Sequence, residues 1–219
     1  MPSTVKAGLL MDSPLLAAGD RMSREEFLSR WYRMPGLKFA ELIDGVVYMP
    51  SPLSRPHASH DALIQGLLFA YASRVPGCEP LTNATWLMGA GGVPQPDASL
   101  RWTRDGGRSS VEKDLMVGVP ELVVEICLSS RSYDLGPKRA LYQSAGVPEY
   151  LAILLEEKQI EWRILEHGRY RLLKPHKDAT LRSRIFPGLW LDFEAYWRAD
   201  RPAILAALDR GLAAAKAKS

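Results

Sequence analysis

Apolar residues recur at three- and four-residue intervals in several segments of the chain, and this spacing predicts amphipathic helices. The first begins at Ser23, because a serine followed three positions later by Glu26 fits the capping-box pattern of a helix N-terminus. A longer helix over residues 57–74 carries a stripe of leucine, isoleucine and tyrosine. The same spacing predicts helices over residues 134–146, 192–198 and 202–215.

Shorter apolar stretches bounded by turn residues predict strands. Residues 38–43 and 46–49 flank Asp44-Gly45, a dipeptide that strongly favours a two-residue β-turn, so they are expected to form a hairpin. A polar, glycine-containing stretch over residues 103–118 is expected to be a loop. The other predicted strands cover residues 82–88, 95–102, 121–128, 150–155, 159–165 and 170–173.

The order of these elements predicts an α/β (mixed α+β) fold with a central mixed β-sheet flanked by helices. The strand at 121–127, the helix at 134–146 and the strand at 149–155 form one βαβ unit, so these two strands are expected to run parallel. The earlier strands are expected to be antiparallel. The predicted organisation is a poorly ordered leader over residues 1–21, one domain over residues 22–200, and a C-terminal helix with a basic tail over residues 201–219.

Composition narrows the class of protein. The 219 residues, 47% hydrophobic and 24% charged, suit a single domain with a core. A net charge of +3 excludes a strongly cationic nucleic-acid coat but allows a local basic groove. Two cysteines cannot form a disulfide scaffold. No apolar run reaches the roughly 20 residues that span a bilayer, and no secretory segment is evident, so a cytoplasmic protein without a membrane partner is expected.

Two carboxylates on neighbouring predicted strands give the strongest sign of chemistry. Asp97 lies near the start of one strand, and Glu125 interrupts the apolar run Leu-Val-Val-Glu-Ile in the other. One antiparallel register sets Asp97 opposite Glu125 and places an apolar set, two residues from each strand, on the other face. The same register sets Arg101 opposite Glu121, which would form a pair of opposite charges.

Carboxylates in directly opposed positions, with Cβ atoms about 5 Å apart, repel each other unless something neutralises them. A hard divalent cation held by both is one solution, and Mg²⁺ binds through one or two carboxylates together with waters and substrate phosphates. Alternatively, one carboxyl is protonated, or each carboxylate meets a separate arginine. The apolar run around Glu125 favours a functional role, because a buried charge is costly unless it is paired or metal-bound.

Several short motifs share their order along the chain with those of a known family. They are Glu41-Leu42-Ile43-Asp44-Gly45, Met49-Pro50-Ser51-Pro52, Gln95-Pro96-Asp97, Val123-Val124-Glu125, Ala145-Gly146-Val147-Pro148-Glu149-Tyr150 and Arg184-Ile185-Phe186-Pro187-Gly188-Leu189. In this order they resemble the Uma-two family of restriction-endonuclease-like proteins, within the PD-(D/E)xK nuclease superfamily. The resemblance covers about residues 22–200 and implies a restriction-endonuclease-like core.

The resemblance further implies a phosphodiesterase that depends on Mg²⁺ or Mn²⁺. Asp97 and Glu125 would be the metal ligands, with the backbone carbonyl of Ile126 as a third. The nuclease motif places a lysine two residues after the glutamate, where this chain has Cys127. The resemblance transfers that catalytic role to Lys138, in the first turn of the following helix; without it, Lys138 would be interpreted as a solvated helix lysine.

Two further residues belong to the candidate site. Glu41 resembles the extra acidic residue that related nucleases supply from outside the central strands, and the alternative is a carboxylate at a strand edge. His60 lies on the same helical stripe as Ile64 and Tyr71. This position favours an inward-facing histidine that makes one hydrogen bond, with an accessory role in the site as the alternative.

Three functions follow from these residues. The first is a metal-dependent endonuclease with DNA as its substrate, and a homodimer is expected because a double-strand cut requires two active sites. The second is a catalytically inactive nuclease fold that binds DNA or protein, motivated by the missing lysine at Cys127 and the low net charge. The third is a hydrolase of a smaller phosphoester or a nucleotide.

Overall fold

The computed structural model describes residues 15–49, 52–104, 106–128 and 131–217. Ser23 caps the first helix through its Oγ, which accepts a hydrogen bond from Glu26 N at 3.3 Å, as the capping-box pattern predicted. The helices are α1 (Arg24–Trp31), α2 (Arg55–Ala72), α3 (Arg131–Tyr133), α4 (Arg139–Ala145), α5 (Phe193–Trp197) and α6 (Arg201–Lys216), with a π-helical turn (Asp134–Lys138) between α3 and α4. None of these described helices is long and apolar enough to cross a bilayer.

Among the described residues, the strands form a central sheet and three smaller ones. The strands are β1 (Glu41–Ile43), β2 (Val46–Tyr48), β3 (Cys78–Thr82), β4 (Trp86–Leu87), β5 (Ala98–Trp102), β6 (Ser109–Glu112), β7 (Leu115–Gly118), β8 (Leu122–Cys127), β9 (Glu149–Leu154), β10 (Gln159–Glu166), β11 (Arg169–Leu172), β12 (Thr180–Arg182) and β13 (Trp190–Asp192). The central sheet has the order β11-β10-β9-β8-β5-β3, and the others are β1-β2, β12-β13 and β4-β7-β6.

The strand β8 lies inside the central sheet and has a neighbour of each orientation. It pairs antiparallel with β5, and Ala98 lies opposite Val124, which confirms the predicted register. Continued by one residue, this register sets Asp97 opposite Glu125. On its other side β8 pairs parallel with β9, as predicted for a βαβ unit. The mixed α+β class with a central mixed sheet flanked by helices is therefore confirmed.

Alternate residues of β8 face two separate apolar clusters. Val124 and Ile126 pack with residues of α2, α5 and α6 on one face of the sheet. Val123 and Cys127 pack on the other face, together with Tyr142 of α4. Because side chains alternate along a strand, Glu125 lies on this second face. A carboxylate is thus held inside the apolar layer beneath α4.

Two predictions of secondary structure are wrong, and so is the prediction that all the earlier strands are antiparallel, because β4 pairs parallel with β7. Residues 82–88 do not form one strand, because β3 ends at Thr82 and Asn83 then takes a left-handed backbone conformation with a φ of 48°. Residues 103–118 contain β6 and β7, connected through Lys113 and Asp114, which also have positive φ values. The side chains of β6 are largely exposed, so this strand lacks the alternation of apolar and polar residues by which a half-buried strand is identified.

The expected charge pair between Arg101 and Glu121 is also wrong. Arg101 donates through Nε to Glu79 Oε2 at 2.7 Å, on the neighbouring strand β3. The carboxylate of Glu121 instead accepts hydrogen bonds from the backbone N–H groups of Trp102, at 2.8 Å, and Arg108, at 3.2 Å. The two neighbours of β5 in the sheet are β8 and β3. The charged partner of Arg101 lies on β3, whose pairing with β5 was not predicted from the sequence.

The first and last described segments pack against the rest of the described structure. Residues 1–14 of the predicted leader lie outside the described residues. Residues 15–21 pack against β2: the backbone N–H of Gly19 donates to Val47 O, and Val47 N donates to Asp20 O, both at 2.8 Å. At the other end, Ile204 and Leu208 of α6 belong to the apolar cluster that α2 also joins.

Glu149, the first residue of β9, is a fully buried carboxylate that connects the central sheet to residues 183–185. It accepts hydrogen bonds from Trp162 Nε1 at 3.1 Å, Ser183 Oγ at 2.8 Å, Arg184 N at 2.6 Å and Ile185 N at 3.2 Å. Burial raises the pKa of Glu149, and these four donors limit that rise. The residue therefore has a structural role.

We expect Glu149→Ala to lower the free energy of unfolding by about 3 kcal/mol or more, because four donors, one in a buried hydrogen bond and three in partly buried ones, lose their acceptor. Glu149→Gln keeps one acceptor oxygen and should lose less. The exposed Glu156 provides a control, since Glu156→Ala should change stability by no more than about 0.5 kcal/mol. Urea unfolding at neutral pH measures all three variants, and an alanine variant as stable as the wild type would contradict the role assigned to Glu149.

Candidate active site

Asp97 lies just before β5 and is held in place by its neighbours. Its Oδ2 accepts a hydrogen bond from Ile126 N at 2.7 Å and lies 3.4 Å from His57 Nε2. Its backbone carbonyl accepts hydrogen bonds from Gln65 Nε2 at 2.9 Å and Asn83 N at 3.2 Å. The side chain is 17% exposed, so this carboxylate is both fixed and reachable from solvent.

The backbone carbonyl of Ile126 has no partner in the sheet, and the proline before Asp97 is the cause. Cys127 O accepts a hydrogen bond from Leu155 N at 3.1 Å, which shows that its carbonyl points towards β9. Successive carbonyls of a strand alternate in direction, so that of Ile126 points towards β5. In the observed register the residue opposite Ile126 is Pro96, which has no N–H to donate. Among the described residues nothing donates to this carbonyl.

Glu125 is 2% exposed, and its contacts concentrate on one oxygen. Lys138 Nζ lies 2.7 Å from Oε1, and the hydroxyl of Tyr142 donates to the same atom at 2.6 Å. Oε2 accepts no hydrogen bond from the described residues. Burial raises the pKa of Glu125 well above its ordinary value, and the adjacent Lys138 opposes that rise. The carboxylate is thus oriented by two donors that leave its second oxygen available.

Lys138 lies at the end of the π-helical turn and is 3% exposed. Besides Glu125, its Nζ lies 3.1 Å from Glu41 Oε1 and 3.9 Å from Asp134 Oδ1. Burial alone would lower the pKa of Lys138, but Glu125 and Glu41 outweigh burial and hold that pKa well above its ordinary value. The turn contains Pro137, which cannot donate a helical hydrogen bond, and π-helical turns are frequent at functional sites.

Glu41 joins the same cluster from the β1–β2 hairpin. Its Oε1 accepts a hydrogen bond from Gln95 N at 2.6 Å and contacts Lys138, and its Oε2 accepts one from the hydroxyl of Tyr133 at 3.3 Å. Both oxygens are therefore occupied. Glu41 connects the loop before Asp97 to the lysine, which fits a positioning residue better than a metal ligand.

The structure brings together four of the side chains predicted for the site and separates the fifth. Asp97, Glu125, Lys138 and Glu41 form the cluster. His60 is half-buried and bonded elsewhere, with Nδ1 3.0 Å from the hydroxyl of Tyr196 and its ring beside Trp197.

His57 and Tyr142 also belong to the cluster, and neither was predicted from the sequence as a site residue. His57 contacts Asp97, and the hydrogen bond to that carboxylate raises the pKa of His57, which burial opposes. His57 lies seven positions before Ile64, on the apolar side of α2, so the helical period would have placed it inward as well. Tyr142 lies four positions after Lys138, a spacing that puts both on one helix face.

The charges of the cluster and its open oxygens are suited to binding a cation. Nowhere in the described part of the chain do three His, Cys, Asp or Glu side chains lie together as a ready metal cage. A metal here would therefore need further oxygens besides Asp97 and Glu125. The unpartnered carbonyl of Ile126 is one such oxygen, and Mg²⁺ commonly completes its coordination with water.

Comparison with known proteins supports a nuclease fold. The crystal structure of a putative nuclease belonging to DUF820 from Anabaena variabilis matches with a TM-score of 0.64 and 14% sequence identity, covering 81% of this chain and 98% of that chain. At this identity the match shows the fold alone. No significant match exists among curated proteins. The sequence model of Uma2, described as "Putative restriction endonuclease", matches residues 24–194. This match covers most of the chain, so the protein belongs to the Uma2 family, as its motifs indicated.

Proposed function

We propose that this protein is an endonuclease that depends on Mg²⁺ or Mn²⁺ and hydrolyses phosphodiester bonds of DNA. The observation that carries the proposal is the convergence of Asp97, Glu125 and Lys138, with one carboxylate reachable from solvent and the other anchored by the lysine. Membership of a family described as putative restriction endonucleases supports phosphodiester chemistry on nucleic acid.

The residues that would hold the metal are Asp97, Glu125 and the carbonyl of Ile126. They fit Mg²⁺ because all three offer hard oxygen donors, and because Pro96 leaves the carbonyl of Ile126 without a donor in the sheet. When bound, the ion would orient the phosphate, activate a water molecule and stabilise the leaving oxygen.

The other residues of the cluster act by orienting these ligands. Lys138 and Tyr142 both hold Oε1 of Glu125, which turns Oε2 away from them. His57 and the N–H of Ile126 hold Oδ2 of Asp97 in the same way. Lys138 also keeps a positive charge beside the site, where negative charge would develop during hydrolysis.

Cleavage of DNA in the presence of metal tests this function. Supercoiled plasmid, linear duplex and single-stranded DNA are incubated with purified protein and Mg²⁺ or Mn²⁺, with a chelator as the control. We expect cleavage of at least one DNA form that the chelator abolishes. Failure to cleave any form while the metal site is demonstrably filled would contradict the proposal, and DNA binding without cleavage would point to a non-cutting nuclease fold.

We also propose that the protein acts as a homodimer. One cluster cuts one strand at a time, so a double-strand break needs two clusters facing the duplex. Light scattering on the 24.4 kDa chain measures the mass in solution with and without DNA. A monomer under both conditions would contradict the dimer and leave single-strand nicking as the expected activity.

A further inference from the structure

A second charged feature lies on the opposite face of the sheet from Glu125. It is an open cavity of about 650 Å³, bordered by the β10–β11 hairpin, the segment around β12, and the C-terminal end of α6. Ile164, which lines it, belongs to the apolar cluster on the α2 side, whereas Glu125 lies beneath α4. We call this cavity the basic groove, after its cationic lining residues Arg171, Lys174, Arg182 and Arg184.

The basic groove carries an excess of positive charge. Three arginines and one lysine line it, against the single lining carboxylate of Glu166. Asp178 beside the lining pairs with Arg182, so these groups have a net charge of +2, compared with +3 for the whole chain. Such a local excess creates a positive potential that attracts anions.

On one wall of the groove an arginine is held by two partners, and on the other wall two arginines share one carboxylate. The guanidinium of Arg182 lies 3.5 Å from the ring centroid of Trp190 and donates to Asp178 at 2.8 Å. Arg171 and Arg184, which are 67% and 59% exposed at their side chains, both reach Glu166, at 3.6 Å and 2.5 Å. A single carboxylate cannot neutralise two guanidinium groups, so positive charge remains available to a ligand.

Close backbone packing fixes the floor of the groove. A Cβ atom at Gly211 of α6 would lie 2.3 Å from the carbonyl oxygen of Gly188, closer than any side chain permits. The helix can therefore approach the loop before β13 only because both positions are glycine. This contact sets the distance between α6 and the cationic wall and gives the groove a defined shape.

We propose that the basic groove binds the phosphate backbone of a nucleic acid, at a place separate from the catalytic cluster. This inference rests on the proposed function, which supplies the polyanion. Its cationic side chains come from β11, the segment after it, β12 and the loop beyond. Arg171 and Arg184 meet at Glu166, whereas Arg182 is held at Trp190 and Asp178, so the positive charge occupies more than one position along the groove. That distribution suits a row of phosphates better than a single phosphate.

The catalytic cluster itself gives a reason for a second contact surface. Asp97, Glu125 and Glu41 outnumber Lys138, so the cluster repels phosphates until a cation is bound. Affinity for a polyanion must then come from positive charge elsewhere, and the basic groove is a cationic surface away from the cluster. Nucleic-acid backbone contacts of this kind are made without metal and weaken steeply with salt.

Binding measured without metal tests the groove independently of catalysis. Fluorescence anisotropy with a labelled duplex of about 20 base pairs, in chelator and over a series of salt concentrations, compares the wild type with the triple variant Arg171→Gln, Lys174→Gln, Arg184→Gln. A matched control removes three exposed charges elsewhere, through Arg33→Gln, Lys113→Gln and Lys158→Gln. We expect the groove variant to bind at least about tenfold more weakly, with a salt slope shallower by about 2 to 3, and the control to resemble the wild type.

Equal losses in the two triple variants, or wild-type binding by the groove variant, would overturn the inference. So would tighter groove-dependent binding to phosphatidylserine vesicles than to the duplex, since that result would identify a membrane surface. The cleavage assay separates this inference from the proposed function. Groove-dependent binding without cleavage would contradict only the endonuclease, and cleavage with unchanged binding by the groove variant would contradict only the groove.

Discussion

Asp97→Asn is expected to reduce metal-dependent DNA cleavage by at least about 10³-fold. A bound metal contributes several kcal/mol to catalysis, and the loss of about 4 kcal/mol corresponds to this factor. Asparagine keeps the size of the side chain and an oxygen that can accept the hydrogen bond from Ile126 N, so the fold should be retained. Initial rates of plasmid cleavage with Mn²⁺ measure the effect, and urea unfolding verifies that the variant is folded.

Asp114→Asn is the matched control for this substitution. Asp114 is exposed and lies at the β6–β7 turn with a positive φ, a conformation that asparagine tolerates as well as aspartate does. The control removes the same charge and should cleave at the wild-type rate. If Asp97→Asn retained activity within about tenfold of the wild type, Asp97 would not be a metal ligand for the reaction.

Lys138→Met is expected to lower the free energy of unfolding by about 3–5 kcal/mol, because it leaves two buried carboxylates without their cation. Lys138 lies 2.7 Å from Glu125 and 3.1 Å from Glu41, and all three side chains are buried. Adding Glu125→Gln to the lysine variant removes one of the uncompensated charges, so the double variant should recover part of the loss. Urea unfolding of the wild type, the single variants and the double variant completes the cycle.

The loss of unfolding free energy in Lys138→Met should be smaller at low pH than at high pH. Burial raises the pKa of Glu125 and Lys138 opposes that rise, so removing the lysine should raise this pKa further. A carboxyl whose pKa is higher in the folded than in the unfolded state favours folding when protonated, and that contribution is lost as the pH rises through the folded pKa. The deficit should therefore be smaller at about pH 5 than at about pH 8. An equal loss of unfolding free energy at the two pH values would contradict the assigned cluster of buried charges.

The pairing of Asp97 with Glu125 was predictable because side chains alternate along strands. A shift of one residue would have turned Glu125 away from Asp97 and into the apolar cluster on the α2 side, so the sequence favoured this register although a long connection separates the two strands. Lys138, by contrast, was assigned to the site only through the family resemblance, because its local pattern alone indicated a solvated helix lysine. The βαβ unit then explains its place, since the helix after β8 returns over the sheet.

The contact between Glu41 and Lys138 could not be derived from local pattern. Glu41 belongs to a hairpin outside the central sheet, and its docking depends on the hydrogen bond from Gln95 N, 54 positions away in the chain. The sequence alone left a strand-edge carboxylate as an equal alternative for Glu41. Only the tertiary packing shows that Glu41 contacts Lys138 and is not simply a carboxylate at a strand edge.

The start of α2 bears on why His60, and not His57, was considered as a site residue. Residues 57–74 were predicted as the helix, whereas α2 begins at Arg55 after Ser54, whose Oγ accepts a hydrogen bond from His57 N at 3.4 Å. Both His57 and His60 share a stripe with Ile64. The proline at position 56, within the first helical turn, was a usable sign of the true start.

The central claim is that Asp97 and Glu125 hold a divalent cation at the site of phosphodiester hydrolysis. Calorimetric titration of Mn²⁺ into the wild type, Asp97→Ala and Glu125→Gln, each with a phosphorothioate duplex that resists cleavage, tests it most directly. The wild type should bind the metal, and neither variant should bind it at comparable concentrations. Equal binding by all three proteins, or no binding by the wild type into the millimolar range with the duplex present, would contradict the paired-carboxylate site.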